Sequence, residues 1–155
     1  MDDVSSAGFW KNYRYITGSN AENRTIAMTT PVAVDILPDA KQPLMKLFRF
    51  SFFVDPKQFP KGPPKPNDKA VYIRQEPERY WYAHKYGGFS NDRIFKEEAR
   101  VFQFQLNSLG LKIDPEGIRF AGYDAPFKVF NRRNEVLFPA ILNKNSTSAQ
   151  HEDKH

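Results

Sequence analysis

The segment TIAMTTPVAVDI, residues 25–36, alternates large apolar residues with small or polar ones. A period of two is typical of a strand with one buried face. The predicted buried face carries Ile26, Met28, Thr30, Val32, Val34 and Ile36. Met28 is expected to face the core as a flexible gap-filler. Pro31 cannot donate to a ladder, so it predicts a bulge or an edge position where the strand bends.

Five further segments have strand patterns. The clearest is MKLFRFSFFV, in which phenylalanines recur at alternate positions. A proline-rich connector, residues 56–68, follows it. The predicted strands are Met45–Val54, Ala70–Gln75, Tyr80–Tyr86, Ile118–Tyr123 and Glu135–Leu142.

Two helices are predicted. The first covers Asp2–Ile16, where Phe9, Tyr13 and Ile16 recur at helical spacing. The second begins after a Ser90 cap and runs to about Leu109. Its predicted buried face carries Phe95, Ala99, Phe102, Leu106 and Leu109.

The order of these elements indicates an α+β fold with internal duplication, because a helix meets antiparallel strands twice along the chain. Residues 1–142 are expected to form one domain, and residues 143–155 a polar, disordered tail. The first half lacks a strand before its helix.

The composition restricts the function. The 155-residue chain has 15% aromatic residues, a net charge of +5 and no cysteine. Thiolate chemistry and disulfides are therefore excluded, and an anionic partner is favoured. No apolar run is long enough to span a membrane, so the protein is expected to be soluble and cytoplasmic.

The sequence contains no GxSxG nucleophile motif. The HExxH spacing occurs once, as HEDKH at residues 151–155, where His151 and His155 lie in the polar tail and are expected to be surface residues. His84 lies among strand aromatics and is expected to be a packed or hydrogen-bonded residue. The phenylalanine-rich strand could stack on bases, but it is apolar enough to be core. We therefore expect no catalytic residues, no metal site and no nucleic-acid partner.

A small-molecule groove is one interpretation of the remaining aromatic and basic residues. Phe9, Trp10 and Tyr13 share a short helix with Arg14, and more cations follow at Lys128 and at Arg132–Arg133. Apolar walls with a basic rim suit a flat ligand that carries carboxylates. An ordinary core edge beneath a solvated loop explains the same residues, and the residue pattern alone leaves both possibilities open.

Three blocks in this order resemble the SOUL family of haem-binding proteins: IAMTTPVAV, YAHKYGGF and GYDAPFKVFNRRNEV. The resemblance extends from the first helix to about Phe138. It implies a distorted antiparallel β-barrel with two helices, built from two repeats. It also implies that haem or another tetrapyrrole lies non-covalently in a shallow apolar groove.

The resemblance assigns the groove to particular residues. Phe9 and Tyr13 would line it from the first helix, Arg14 and Lys128 would face the propionates, and Phe127 would stand beside Lys128 in the loop before the last strand. The implied function is that of a haem carrier or buffer. Family members usually have strands before the first helix. The alternative is therefore a protein-interaction or structural domain whose open sheet edge pairs with a partner.

Overall fold

The computed structural model describes residues 3–38, 46–115, 117–125 and 127–142. The predicted tail, residues 143–155, lies outside them. The described chain forms two helices, α1 (Asp3–Ile16) and α2 (Asp92–Ser108). Its strands are β1 (Val32–Pro38), β2 (Lys46–Phe52), β3 (Trp81–Tyr86), β4 (Ile118–Gly122) and β5 (Asn134–Pro139).

The strands form one sheet in the order β2-β1-β4-β5-β3, and every pair is antiparallel. A barrel closes only when its outer strands hydrogen-bond to each other. Within the described residues β2 and β3 stay on opposite edges, so the α+β class is confirmed and the predicted barrel is wrong. Each helix is followed by two adjacent antiparallel strands, but internal duplication stays a prediction.

Both helices lie on the same face of the sheet. Strand residues that are directly opposite share a face, and Phe50, Val34 and Phe120 form such a row. Gly8 of α1 lies against the Phe50 ring, and Phe95 of α2 meets the Phe120 ring edge to face. The side chains on the opposite face of the strands are therefore left uncovered by the helices.

The core has two parts. Below α1, a cluster of buried side chains joins the helix to the connector: Tyr15, Ile16, Ile26 and Phe59. Below α2, a larger cluster joins the helix to β3 and β5: Tyr86, Phe95, Ala99, Phe102, Leu106, Val136 and Phe138. The predicted buried face of the second helix is thus confirmed except at Leu109, which is 72% exposed just after the helix ends.

The opening strand is shorter than predicted. Hydrogen-bonded strand begins only in the second half of the predicted segment, at Val32. Pro31 is the residue directly before it. β1 is an inner strand, paired with β2 on one side and with β4 on the other, and Pro31 lies just before it rather than at an edge of the sheet. The expected edge position for Pro31 is therefore wrong.

The prediction for Met28 is also wrong, because this side chain is 47% exposed. It lies before the ladder begins, where alternation no longer determines which side faces the core. The neighbouring Thr29 hydroxyl donates to the Phe53 carbonyl instead. Ile26 is buried as expected.

Two other boundaries differ from the predictions. Ala70–Gln75 belongs to no strand, since β3 pairs with β5 rather than with this segment. The cap of α2 is Asn91, whose side chain accepts a hydrogen bond from the Ile94 N–H. Ser90 instead bonds to the buried Tyr86 hydroxyl at 2.7 Å.

Candidate functional site

Three aromatic side chains of α1 form a patch, which we call the helix patch: Phe9, Trp10 and Tyr13. Helical spacing brings Phe9 and Tyr13 onto one side, where their rings stack with centroids 6.0 Å apart. Trp10 meets both rings edge to face at 5.4 Å. Trp10 is 51% exposed and Tyr13 38%. The helix patch therefore offers aromatic surface to a ligand while Phe9 anchors it to the sheet.

Arg14 follows the patch in the last turn of α1. Its side chain is exposed and makes no ion pair within the described part of the chain. A guanidinium in the last turn is favoured by the helix dipole. The group is available for an anionic substituent of a ligand on the patch.

The loop between β4 and β5, residues 123–133, is organised by Asp124. Its carboxylate accepts hydrogen bonds from Lys128 Nζ at 2.5 Å and from the Arg133 N–H at 2.5 Å. The Lys128 ammonium, followed by the Arg133 N–H, holds the pKa of Asp124 below its usual value. The predicted site residue Lys128 is thus an ion-paired side chain that ties the loop together.

Arg132 closes the loop from the other side. Its Nη1 donates to the carbonyls of Ala125 at 2.8 Å and Lys128 at 2.7 Å. The guanidinium lies over the Phe89 ring, 4.5 Å from its centroid. Arg132 therefore connects the loop to the Gly-Gly-Phe turn before α2.

The far end of the loop is tied to β5. The Tyr123 hydroxyl donates to Glu135 Oε2 at 2.7 Å, and Arg133 Nε donates to Glu135 Oε1 at 3.0 Å. Burial raises the pKa of Tyr123, and the hydrogen bond to Glu135 raises it further. Both ends of the loop are consequently held by charged or hydrogen-bonded groups.

The middle of the loop presents apolar side chains to solvent. Phe127 is 85% exposed, Phe130 81% and Val129 58%. Exposed large apolar side chains in one short segment typically mark an interaction site. The polar contacts hold the loop backbone, and these side chains are left for a ligand.

The sheet register places the helix patch and the loop at the same end of the sheet. Phe9 packs on Phe52 with ring centroids 5.3 Å apart. Phe52 is paired with Val32, and Val32 with Gly122 on the next strand. Two strand spacings separate Phe52 from Gly122, which is about 10 Å. The loop begins at the next residue, Tyr123.

The described residues of this end fit a porphyrin held by aromatic contacts and ion pairs. It has aromatic faces for the ring and two cations, at Arg14 and Lys128, for carboxylates. His84, the histidine of the described residues, is engaged elsewhere, with Nε2 2.9 Å from Glu98 Oε2 and its ring packed on Phe102. In the same part of the chain, no three His, Asp or Glu side chains are grouped as metal ligands.

Asp124 and Phe130 are the functional candidates that the sequence predictions omitted. The signal for Asp124 was its spacing of four residues from Lys128, which favours an ion pair in a turn. Phe130 continues the apolar run that begins at Phe127. The roles of both residues depend on the folded conformation of the loop, which a pattern of residues along the chain does not predict.

The chain is similar in sequence to known proteins along most of its length. The family model described as SOUL heme-binding protein matches residues 1–139. Mouse Heme-binding protein 1 is 28% identical over 136 residues, which cover 88% of this chain and 71% of that protein. Xenopus laevis Heme-binding protein 1 is 29% identical, covering 89% of this chain and 72% of that protein. Human Heme-binding protein 2 is 28% identical, with coverages of 97% and 72%.

Neither described helix is long and apolar enough to cross a membrane.

Proposed function

Because the chain belongs to the SOUL heme-binding protein family, we propose that it binds haem non-covalently between the helix patch and the 123–133 loop. The proposal rests most directly on one observation. The aromatic surface of α1 and the exposed apolar side chains of the loop flank the same end of the sheet. The relatives named as heme-binding proteins support the same ligand.

Apolar contact would supply most of the affinity. Trp10, Phe127 and Phe130 are all more than half exposed. Fully burying one large apolar side chain contributes about 1.5–3 kcal/mol. Partial burial of several such side chains against a porphyrin ring would add to this, and the porphyrin itself would gain the same apolar contact.

The propionates would be met by Arg14 and Lys128. Arg14 has no competing ion pair among the described residues. Lys128 keeps two of its three ammonium donors when one is given to Asp124, so it can bind a second carboxylate. The loop would therefore keep its conformation while its lysine contacts the ligand.

Binding through apolar contacts and exposed ion pairs, without a described histidine at the site, favours haem exchange over redox chemistry. When bound, haem supplies an iron whose reactivity depends on its axial ligands. His84 is held by Glu98 and Phe102, and Met28 lies before β1 on an exposed segment. We therefore propose a carrier or buffer of haem, or of a related tetrapyrrole, rather than an enzyme.

A titration of the purified protein with haemin tests the proposal through the Soret band. We expect a saturable shift in the wild type. The double variant Arg14→Ala/Lys128→Ala should bind about tenfold more weakly, since each exposed ion pair contributes about 0.7 kcal/mol. The matched control is Arg93→Ala/Lys96→Ala, which removes two exposed cations from α2.

The apolar part is tested separately with Phe127→Ser/Phe130→Ser. Both side chains are so exposed that the fold should be unaffected. Loss of affinity in this variant would support the loop as one wall of the site. A flat titration of the wild type, or equal affinity in every variant, would show that the proposal is wrong.

A second function, protein interaction, is favoured by the free edge of β2. This strand pairs with β1 on one side, and no described strand pairs with its other side. Leu47 and Phe48 on this edge are each about half exposed, at 51% and 49%. An extended segment of a partner could add to such an edge. Sedimentation that depends on concentration, together with a flat haemin titration, would favour this function over haem binding.

A further inference from the structure

The face of the sheet opposite the helices contains a pocket of about 270 Å³. Asp35, Arg49 and Arg119 are directly opposite one another on β1, β2 and β4, so their side chains lie on that face together. Arg74 and Glu76 reach it from the segment before β3, and Trp81 from β3 itself. The pocket is thus separated by the sheet from the helix patch.

Asp35 forms the floor of the pocket. It is 5% exposed and accepts hydrogen bonds from Arg119 Nε at 2.5 Å and from Arg119 Nη2 at 3.2 Å. Arg119 also donates to Glu76 Oε1 at 3.0 Å. Burial by itself lowers the pKa of Arg119, but its bonds to Asp35 and Glu76 outweigh this and raise it. Nε and Nη2 of this guanidinium are therefore engaged by carboxylates of the protein.

The guanidinium groups of Arg49 and Arg74 make fewer hydrogen bonds to carboxylates than that of Arg119. Arg49 Nη1 lies 3.6 Å from Asp35 Oδ2, and Arg74 Nη2 lies 3.9 Å from the same oxygen. Both distances exceed those of a hydrogen bond. Arg74 also contacts Glu76, which it shares with Arg119. Arg49, in the described part of the chain, has the distant Asp35 as its ion-pair partner.

Among the described residues, the charges of this cluster do not balance. Three guanidinium groups, those of Arg49, Arg74 and Arg119, face two carboxylates, those of Asp35 and Glu76. The remaining arginine of the pocket, Arg79, is paired with Asp114 at 3.7 Å. One positive charge is left over, next to a cavity. An anion would both neutralise it and satisfy the donors of Arg49 and Arg74.

The wall of the pocket combines an indole that is already covered by two guanidinium groups with apolar side chains. The Trp81 indole has Arg119 over its ring at 4.6 Å and Arg79 at 5.4 Å. Leu37, Ile118 and Pro139 add apolar surface. The volume is just below the range of pockets for drug-sized ligands, which begins at about 300 Å³. Only a small molecule fits.

We infer that this pocket is a second binding site, which takes a small molecule with one carboxylate and an apolar body through Arg49 and Arg74, beside the Trp81 side chain. A carboxylate matches the planar fork of a guanidinium, so two arginines on one side can bind it bidentately. The site lies across the sheet from the haem site and does not depend on haem binding.

Benzoate is the probe for the test, and the fluorescence of Trp81 is the readout. The chain has two tryptophans, so a Trp10→Phe background leaves Trp81 as the reporter. We expect benzoate to change the fluorescence saturably, and a rise in salt to weaken binding. Benzyl alcohol, which has the same ring without the charge, should have no saturable effect. Inorganic phosphate distinguishes a general anion site from one for carboxylates.

The variants are Arg49→Gln and Arg74→Gln, which remove the two incompletely used charges and leave the pair of Arg119 with Asp35. Each should weaken benzoate binding at least fivefold, while Arg93→Gln on α2 should not. Equal binding in Arg49→Gln and the wild type would overturn the inference, as would phosphate binding more tightly than benzoate or no saturable response to benzoate. Unfolding curves of each variant show that the sheet is intact.

Discussion

Lys128 Nζ lies 2.5 Å from Asp124 Oδ1. The lysine that we propose as a propionate contact therefore also holds the conformation of its own loop. The same carboxylate accepts the N–H of Arg133, nine residues further along the chain. Ligand binding and loop conformation are therefore linked through one carboxylate, and protonating it should affect both.

The pH dependence of the loop follows from the lowered pKa of Asp124. Hydrogen bonds from Lys128 and Arg133 lower the pKa of Asp124 in the folded state. The ionised carboxylate therefore stabilises the loop fully at pH values above the unfolded pKa of about 3.9. This stabilisation is lost as the pH falls through the lower pKa of the folded state. We expect the amide NMR signals of residues 127–130 to be constant from neutral pH down to about pH 4 and to shift only below it. In Asp124→Asn the shift should be absent. A midpoint above pH 4 would contradict this.

The contact between Gly8 and Phe50 predicts the cost of a methyl group in α1. A Cβ at residue 8 would run into the Phe50 ring. Overpacking costs about 1–3 kcal/mol, while alanine gains about 0.5–1 kcal/mol over glycine in a helix. We expect Gly8→Ala to lower the free energy of unfolding by about 1 kcal/mol in urea denaturation.

Phe50→Leu supplies the control for that variant. With the smaller side chain present, Gly8→Ala should cost less than in the wild type, because the ring that it meets is gone. If the cost is the same in both backgrounds, the contact with Phe50 is not its cause.

The pair of Asp35 and Arg119 joins the first half of the sheet to the second. Their side chains are 7% and 15% exposed, so Asp35→Asn would leave the largely buried Arg119 with the half-exposed Glu76 as its remaining ion partner among the described residues. We expect Asp35→Asn to lower the free energy of unfolding by about 3 kcal/mol, measured by urea denaturation. The control is Glu97→Gln, which breaks an exposed pair with Arg93 and should cost less than about 0.5 kcal/mol. If Asp35→Asn and Glu97→Gln lower the free energy of unfolding by similar amounts, burial of the ion pair is not the reason for the cost.

Two buried tyrosines predict a loss of stability in alkali. Burial raises the pKa of Tyr15 and of Tyr86. A raised folded value means that their contribution is complete below the unfolded value of about 10 and is lost as the pH rises through the folded value. The free energy of unfolding should therefore decline above about pH 10.

The variant Tyr86→Phe, which keeps the ring and loses the titrating hydroxyl, should make that decline shallower. Tyr72→Phe is the matched control, because Tyr72 is 60% exposed. Urea denaturation at several pH values measures all three proteins. An unchanged decline in Tyr86→Phe would exclude this tyrosine as a cause.

Local patterns predicted most of the elements correctly. The helical spacing of Phe95, Ala99, Phe102 and Leu106 identified the face of α2 that is buried, since side chains that recur every three or four residues must share one side. The alternating phenylalanines of β2 likewise share one face, on which Phe50 and Phe52 meet α1. Where a pattern extended beyond its hydrogen-bonded ladder, as at Met28, the prediction was wrong.

The candidate site was predictable only in parts. The aromatic residues of α1 and the basic residues of the loop were visible in the sequence, and the resemblance to SOUL proteins assigned them to one groove. Their placement at one end of the sheet depends on the pairing of Phe52 with Val32 and of Val32 with Gly122. The ion pair of Lys128 with Asp124 depends on the folded loop.

The sequence by itself therefore determined the helices, five of the six predicted strands and the family, because all three depend on residues that are close together along the chain. Only the tertiary structure decided that the sheet is open within the described residues and that Asp35, Arg49 and Arg119 surround one pocket. The physical reason is strand register. It brings together side chains as far apart as residues 35 and 119, and it follows from the hydrogen bonds between all the strands at once.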